Sequence, residues 1–261
     1  MDIKRVLIVL NELQDIQNII DKGFDFANIF NAIVEVLYVH ETPIFDIKEL
    51  FIDNKFNENL VKNRIKELVE SKTNEDIAIF VKIDDTQDRI WDLTREDKET
   101  LVVTSYHKDI TLKIIDTCKQ PLFIFKQDIK LEKIALIFEN FEGIDDSLEF
   151  LKNSISKDIE LIYNFNYIPN IDPADPLVST TYVDNEILLQ TQEELFTNLK
   201  KKYNLNGKMF INAVSSEDEL IDYLNNSDYS LITLAKMDND FIVSIKEEII
   251  KNVNKNLIVL P

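Results

Sequence analysis

Short continuous apolar runs alternate along the chain with longer segments whose apolar residues recur at every third or fourth position. The first such run covers residues 5–10, and Ile16, Ile19, Ile20 and Phe24 follow with helical spacing. An apolar run bounded by polar residues is typical of a strand buried on both faces of a parallel sheet. The three- and four-residue spacing indicates an amphipathic helix. The pattern therefore predicts alternating strands and helices joined by right-handed crossovers, which is an α/β fold.

Each half of the chain carries five predicted strands and four predicted helices. In the first half we expect strands at 5–10, 33–40, 77–83, 100–105 and 121–126, and helices at 16–30, 58–71, 87–97 and 110–118. In the second half we expect strands at 133–138, 159–165, 209–214, 229–235 and 256–260, and helices at 145–154, 186–203, 217–225 and 241–252. Ser216 and Glu219 have the spacing of a capping box before the third of these helices.

The two halves are copies of one unit, because stretches of the first half return in the same order in the second. The paired stretches are 4–11 with 132–139, 33–38 with 158–163, 100–104 with 230–234, and 121–125 with 256–260. Order is kept while the connections change length. We therefore predict two tandem domains, residues 1–127 and 132–261, each a five-stranded parallel sheet with helices on both faces.

Charge and cysteine content restrict the partners and the compartment. Lysine and arginine number 29 against 48 aspartates and glutamates, a net charge of -19 at pH 7. A surface this negative repels phosphate backbones and anionic headgroups, so we expect no nucleic-acid partner and no membrane partner. No run reaches the roughly 20 apolar residues of a membrane helix. The single cysteine, Cys118, cannot form a disulfide within the chain, and we expect a cytoplasmic protein.

The element order, the strand sequences and the tandem duplication together resemble the universal stress protein family. The opening strand reads Lys-Arg-Val-Leu-Ile-Val at residues 4–9, and the closing strand reads Pro-Leu-Phe-Ile-Phe at residues 121–125. The resemblance covers nearly the whole chain. It implies Rossmann-like domains of the adenine nucleotide alpha hydrolase type. It also implies that the last strands, 121–126 and 256–261, pair into an intramolecular pseudo-dimer, as a monomer or within a homodimer.

Many members of this family bind ATP, through an acidic residue that ends strand one and a glycine-rich loop after strand four. The loop has the form G-x-x-G followed later by G-S/T. The resemblance places the acidic position at Asn11 and Glu139, and the loop at 104–111 and 235–241. Because glycines let backbone N–H groups approach phosphates, the loop composition decides whether this site exists.

Neither of the two corresponding loops contains a glycine, and only three glycines occur in the chain. In the second loop, Asp238 and Asp240 also stand where phosphates would lie, and two carboxylates there oppose an anion. The sequence therefore predicts that the usual ATP site is lost in both halves.

Three functional hypotheses follow. The first is a tandem universal-stress-like protein without enzymatic activity or cofactor, which acts in stress response or regulation by binding a partner protein or a small ligand. The second is a nucleotide-binding stress protein, at most a slow ATPase, with one retained site for ATP or AMP with magnesium. In the first half that site would be lined by Asn11, Val39, Thr104, Ser105 and Lys108. The third is an electron-transfer-flavoprotein-like or other nucleotide-related module, similar in topology only.

Other candidate chemistry has a simpler structural interpretation. Ser105 and His107 could form a nucleophile and base, but no third orienting group is evident, so we predict no catalytic residue. Acidic pairs such as Asp84 and Asp85 precede predicted helices, where caps are usual, so we predict no metal site. We expect Cys118 to be a buried, inert thiol. The long segment 168–183 is expected to be a surface excursion or a lid.

Overall fold

The structure is a computed structural model, and it describes residues 2–11, 16–41, 56–97, 99–128, 130–156, 158–167, 185–213, 217–235 and 245–261. Three features of the sequence lie outside the described residues. They are the segment 168–183, the capping residue Ser216, and the loop residues that follow Ala235, with Asp238 and Asp240.

Strands and helices alternate as the apolar pattern predicted. The strands are β1 (Arg5–Leu10), β2 (Ile33–His40), β3 (Ala78–Ile83), β4 (Thr100–Ser105), β5 (Leu122–Phe125), β6 (Lys133–Phe138), β7 (Asp158–Tyr167), β8 (Asn206–Ala213), β9 (Leu231–Leu234) and β10 (Asn256–Val259). The helices are α1 (Ile16–Phe30), α2 (Glu58–Glu70), α3 (Thr86–Thr94), α4 (Lys108–Thr117), α5 (Ile144–Ser154), α6 (Asn185–Tyr203), α7 (Glu217–Asn226) and α8 (Ile245–Asn252).

Contacts among the residues divide the chain into two compact units. Unit 1 comprises Met1–Lys130 together with Asn256–Pro261, and unit 2 comprises Leu131–Lys255. In unit 1 the strand order is β3-β2-β1-β4-β5-β10, in which only β10 runs antiparallel to its neighbour β5. In unit 2 the order β9-β6-β7-β8 is parallel throughout. The predicted α/β class with mainly parallel sheets is confirmed.

Residues 256–261 belong to unit 1 because β10 pairs with β5. Leu257 lies opposite Ile124, and Val259 lies opposite Leu122. This is the pairing that was expected of the last strands of the two repeats. The domain limits 1–127 and 132–261 stay a prediction about the duplicated sequence, and the oligomeric state also stays a prediction.

Several element ends differ from the sequence prediction, and a side-chain cap explains one difference while strand pairing explains another. Helix α3 begins at Thr86, because the side chain of Asp85 accepts the N–H of Gln87 and caps the helix there. Strand β8 begins at Asn206, three residues before the predicted start, because Asn206 and Gly207 already pair with β7.

The central strand of unit 1 is buried on both faces. All residues from Val6 to Leu10 are shielded from solvent, and alternate residues of a strand point to opposite faces. Helix α1 covers one face at very short range, because Gly23 has no side chain. A Cβ atom at Gly23 would lie 2.2 Å from Cδ1 of Ile8. Sequence and packing are thus linked here, since a larger residue would force the Ile8 side chain out of its present position.

In both units an ion pair links the first two strands, and the paired residues occupy matching positions in the sequence repeat. In unit 1, Arg5 Nη1 lies 3.2 Å from Glu35 Oε2, and in unit 2, Lys133 Nζ lies 3.9 Å from Glu160 Oε2. Arg5 is largely buried and also donates to the C=O of Leu93 at 2.7 Å. The duplicated sequence therefore preserves a cross-strand contact as well as the strands themselves.

Asn256 joins β10 to the end of β5 through its side chain. Its Oδ1 accepts the N–H of Lys126 at 2.8 Å and that of Gln127 at 3.1 Å, and its Nδ2 donates to the C=O of Gln127 at 2.9 Å. Asn256 is fully buried. One amide thus satisfies three main-chain groups at the point where β5 ends, and buried main-chain groups are costly to leave unpaired.

We predict that Asn256→Ala lowers the free energy of unfolding by about 2–4 kcal/mol, since it removes three hydrogen bonds and leaves two N–H groups unpaired. Urea denaturation measures this change. Asn63→Ala is the matched control, because Asn63 is exposed on α2, and we expect a change within about 0.5 kcal/mol. Equal stability of the two variants would contradict the structural role of Asn256.

We predict that Gly207→Ala destabilises the protein by about 1–3 kcal/mol through overpacking. A Cβ atom there would lie 2.6 Å from the C=O oxygen of Leu161 and 2.8 Å from Cζ of Phe196. The control is Gly143→Asn, because Gly143 has φ of +70° and no atom within 4 Å of a new Cβ, and asparagine tolerates that conformation. Urea denaturation should leave the Gly143 variant near the wild type, and a neutral Gly207→Ala would be inconsistent with this packing.

Candidate functional site

The carboxyl edge of the unit 1 sheet is where an α/β protein of this topology places ligands. Strands β1 and β4 are neighbours, and the connection after β1 leads toward β2 while the connection after β4 leads the other way toward β5, which opens a crevice between the carboxyl ends of β1 and β4. Val9 of β1 lies opposite both Leu37 of β2 and Thr104 of β4. Residues that follow these three positions are therefore brought to one edge of the sheet.

Four of the five candidate site residues lie at this edge, and the fifth begins the next helix. Asn11 follows β1, Val39 lies in β2, and Thr104 and Ser105 end β4. Lys108 is the first residue of α4 and is exposed. Val39 and Thr104 are buried in the sheet, so Asn11, Ser105 and Lys108 carry the remaining polar chemistry. Their role in binding a nucleotide stays a prediction.

Asn11 belongs to a buried polar cluster that we define as Asn11, Glu41 and Thr86. Asn11 Nδ2 donates to Oγ1 of Thr86 at 2.5 Å, and the N–H of Thr86 donates to Oε1 of Glu41 at 3.1 Å. Asn11 is only 8% exposed, and its Oδ1 has no hydrogen-bond partner. A buried acceptor left unpaired costs about 1–3 kcal/mol. This oxygen is therefore an unsatisfied acceptor at the sheet edge and is itself shielded from solvent.

The acidic residues beside this cluster stabilise the start of α3. Asp85 caps the helix, and Asp84 forms an ion pair with Arg89. The Arg89 guanidinium holds the pKa of the Asp84 carboxyl below its usual value. The interpretation of this acidic pair as helix-terminus chemistry is confirmed.

Two main-chain donors of the turn between β4 and α4 are used within the protein. The N–H of Tyr106 donates to the C=O of Phe125 at 3.0 Å, and the N–H of His107 donates to Oγ1 of Thr111 at 2.8 Å. A phosphate-binding loop needs such N–H groups to point at the ligand. Asp109 also lies in the first turn of α4, where a carboxylate opposes an anion.

In unit 2 the corresponding acidic residue has a partner in the next strand. Glu139 follows β6, and its Oε1 accepts a hydrogen bond from Nδ2 of Asn164 at 3.0 Å. Beside it, Tyr163 donates its hydroxyl to Gln192 at 2.7 Å, and burial raises the pKa of Tyr163 to about 12. The loop after β9 lies outside the described residues beyond Ala235, so the prediction for that loop stays open.

Sequence reasoning missed two residues around Asn11 and one near the β4–α4 turn. Thr86 and Glu41 are far from Asn11 in sequence. The one sequence signal for either was that Glu41 directly follows a predicted strand, which places it at the carboxyl edge of the sheet. Lys126 was counted as the end of a strand. Its ammonium lies 4.3 Å from the centre of the Tyr106 ring, and burial lowers the pKa of Lys126 to about 8.

The described parts of the chain show neither a metal-binding cluster nor a membrane-spanning helix. There, no group of three or more His, Cys, Asp or Glu side chains is arranged to hold a metal ion. In the same residues, no helix combines the length and apolar character needed to cross a membrane. Cys118 is half-buried, and its Sγ lies 3.6 Å from the C=O of Gln120.

Comparison with known proteins identifies the fold through structure alone. No protein-family profile matches the sequence, and no curated protein sequence matches it. Among solved structures, the functionally unknown protein PA1789 from Pseudomonas aeruginosa PAO1 is 11% identical with a TM-score of 0.67, covering 99% of this chain and 92% of that one.

Two further solved structures carry a family description. A candidate universal stress protein from Pseudomonas aeruginosa UCBPP-PA14 is 11% identical with a TM-score of 0.66, covering 99% of this chain and 93% of that one. A universal stress protein from Archaeoglobus fulgidus DSM 4304 is 11% identical with a TM-score of 0.61, covering 98% and 95% respectively. The chain therefore has the fold of the universal stress proteins.

Proposed function

We propose that this chain is a tandem universal stress protein that acts by binding a partner protein or a small ligand, without an enzymatic step. It does not bind ATP in the way usual for the family. The fold supports the family assignment, and the β4–α4 turn of unit 1 supports the departure from ATP binding. We further propose a cytoplasmic location, which the single cysteine supports, and no nucleic-acid or membrane partner, which the net charge of -19 supports.

The single observation that carries this proposal is the use of the turn amides within unit 1. The N–H groups of Tyr106 and His107 are bonded to Phe125 and Thr111, so a triphosphate would have to displace protein hydrogen bonds to reach them. Each displaced bond reduces the net gain from the new contact.

The placement of the three glycines supports the same conclusion. Gly23 lies in α1 against Ile8, Gly143 precedes α5, and Gly207 lies in β8 against Leu161. Gly23 and Gly207 occupy tightly packed positions, and Gly143 stands at the start of a helix. None of the three follows β4 or β9. Neither loop at which the family would hold phosphate therefore has a glycine that allows a close approach of the main chain.

A second candidate function, nucleotide binding in unit 1, is favoured by one specific observation. The unpartnered Oδ1 of Asn11 is an acceptor that a base amine could satisfy. In this proposal Asn11, Val39, Thr104 and Ser105 would hold a nucleoside, and Lys108 would meet its phosphate. Magnesium would accompany ATP, and a slow ATPase would be the associated activity.

We predict that ATP, ADP and AMP, each with magnesium, leave the thermal unfolding midpoint of the wild type unchanged. A ligand present at one hundred times its Kd would stabilise the protein by about 2.7 kcal/mol, which a thermal shift assay detects easily. Asn11→Ala is the matched variant, because it removes the free acceptor. A wild-type shift that disappears in Asn11→Ala would replace the leading proposal with the second candidate.

We also predict no ATP hydrolysis above the buffer rate, since neither loop that follows β4 or β9 has the glycines to hold the phosphates. Inorganic phosphate release measures this directly. Magnesium-dependent turnover that Lys108→Ala abolishes would refute the non-enzymatic proposal.

A further inference from the structure

One dipeptide of unit 2 joins a reactive side chain to a glycine that the packing requires. Asn206 is the one asparagine of the sequence that directly precedes a glycine. At Gly207, a Cβ atom would lie 2.6 Å from the C=O oxygen of Leu161 and 2.8 Å from Cζ of Phe196. No larger residue fits there without a shift of its surroundings. The close packing of β8 therefore keeps a glycine directly after Asn206.

An asparagine followed by glycine forms a cyclic imide more readily than other asparagines do. Hydroxide removes the proton of the glycine N–H, the nitrogen attacks Cγ of the asparagine, and the amide group leaves as ammonia after taking a proton from water. Glycine favours this step because it has no side chain to obstruct the attack and leaves the backbone most free to rotate. Water then opens the imide at either carbonyl, which gives aspartate or isoaspartate. One water molecule is consumed overall, and one ammonia molecule is released.

The position of Asn206 exposes it to water but holds it in a conformation that does not react. Asn206 is exposed and is the first residue of β8. It lies opposite Glu160 of β7, and Gly207 lies opposite Leu161. Closure of the imide brings Cγ to the next nitrogen, so ψ of Asn206 must rotate away from its extended value. Pairing with β7 therefore protects the dipeptide for as long as the two strands stay together.

The first residues of β8 lie at an end of the strand order. Within the described part of unit 2, β7 is the strand that pairs with β8. Just before β8, Asn204 has φ of +52°, and the N–H of Leu205 donates to the C=O of Lys200 at 3.0 Å, where α6 ends. The end of a strand with one neighbour opens at a lower free-energy cost than a strand in the centre of a sheet. Such an opening frees the dipeptide without unfolding the whole unit.

We propose that Asn206 is a site of spontaneous deamidation, and that opening of the first residues of β8 from β7 controls its rate. Water is the co-reactant. The released ammonia diffuses away, so the change is permanent and converted molecules accumulate with the age of the protein. This site goes beyond the binding function proposed above and does not depend on it.

Both products weaken the pairing that protected the asparagine. An aspartate at position 206 places a second carboxylate opposite Glu160, on strands about 4.8 Å apart, where like charges repel. Lys133 lies 3.9 Å from Glu160 and offsets part of this repulsion. An isoaspartate adds a methylene group to the main chain, which displaces the N–H and C=O groups that follow it from their partners on β7. Deamidation therefore loosens this edge of unit 2.

The first test measures conversion at each asparagine by peptide mapping with mass spectrometry, in mildly alkaline buffer. It compares the native full chain with the same chain unfolded in urea. In the unfolded chain we expect Asn206 to convert faster than every other asparagine. In the native protein we expect its conversion to be measurable but at least about tenfold slower, because opening of a paired strand is rare. Asn206→Gln is the control, since glutamine closes the larger imide ring far more slowly.

The second test separates local opening from global unfolding. Phe196→Ala removes the ring that packs against Gly207, whereas Phe150→Ala removes an equally buried ring from α5. Both variants lose a large buried side chain, and urea denaturation measures how far each is destabilised. We expect Phe196→Ala to convert Asn206 at least about tenfold faster than Phe150→Ala does, once compared at equal global stability. If either variant does not fold, the native and unfolded wild-type chains decide the question.

Three results would overturn the proposal. The first is the absence of conversion at Asn206 in the native protein over a period in which other asparagines of that protein convert. The second is an equal rate at Asn206 in the native and the unfolded chain, since pairing with β7 would then give no protection. The third is equal acceleration by Phe196→Ala and Phe150→Ala, which would assign control of the rate to global unfolding.

Discussion

The need to satisfy every buried main-chain hydrogen bond shapes unit 1 more than any side-chain contact does. Strand β1 is shielded from water along its length, so its N–H and C=O groups depend on β2 and β4. Strand β5 has the same requirement, because its four residues are all buried. It forms main-chain hydrogen bonds with β4 on one side and with β10 on the other. Just beyond the end of β5, the side chain of Asn256 bonds the main-chain groups that no strand reaches. At the opposite edge of the unit 1 sheet lies β3. Its outer N–H and C=O groups can remain unpaired with protein, because this strand is partly exposed to water.

The apolar pattern located every strand that the structure describes, but complete burial did not make strand ends more predictable, since β5, β9 and β10 are buried throughout and each is shorter than predicted. The bounds of β1, β2, β4 and β6 agree with the sequence prediction to the residue, because a continuous apolar run has polar residues at both ends. Helix ends were less accurate, since a cap such as Asp85 decides them through one hydrogen bond. Strand β8 was placed late because Asn206 and Gly207 join it through pairing with β7, which no local pattern reveals.

The candidate site was predictable in position but not in chemistry. Alternation of strands and helices was enough to bring Asn11, Thr104 and Ser105 to one edge. The contact of Asn11 with Thr86 joins residues 75 positions apart, and it depends on how α3 packs. The same applies to the N–H of Tyr106, whose acceptor is Phe125. Both contacts change what the edge can bind, so a fold known from sequence left the ligand chemistry open.

The discontinuity of unit 1 sets the order in which the protein can complete its structure during synthesis. Residues 131–255, the whole of unit 2, are made after β5 and before β10. Until β10 leaves the ribosome, the nascent chain carries β5 with one unpaired edge of leucine, phenylalanine and isoleucine residues, a sequence type prone to aggregation. A slow step in the translation or folding of unit 2 therefore prolongs the time for which this edge of β5 stays unpaired.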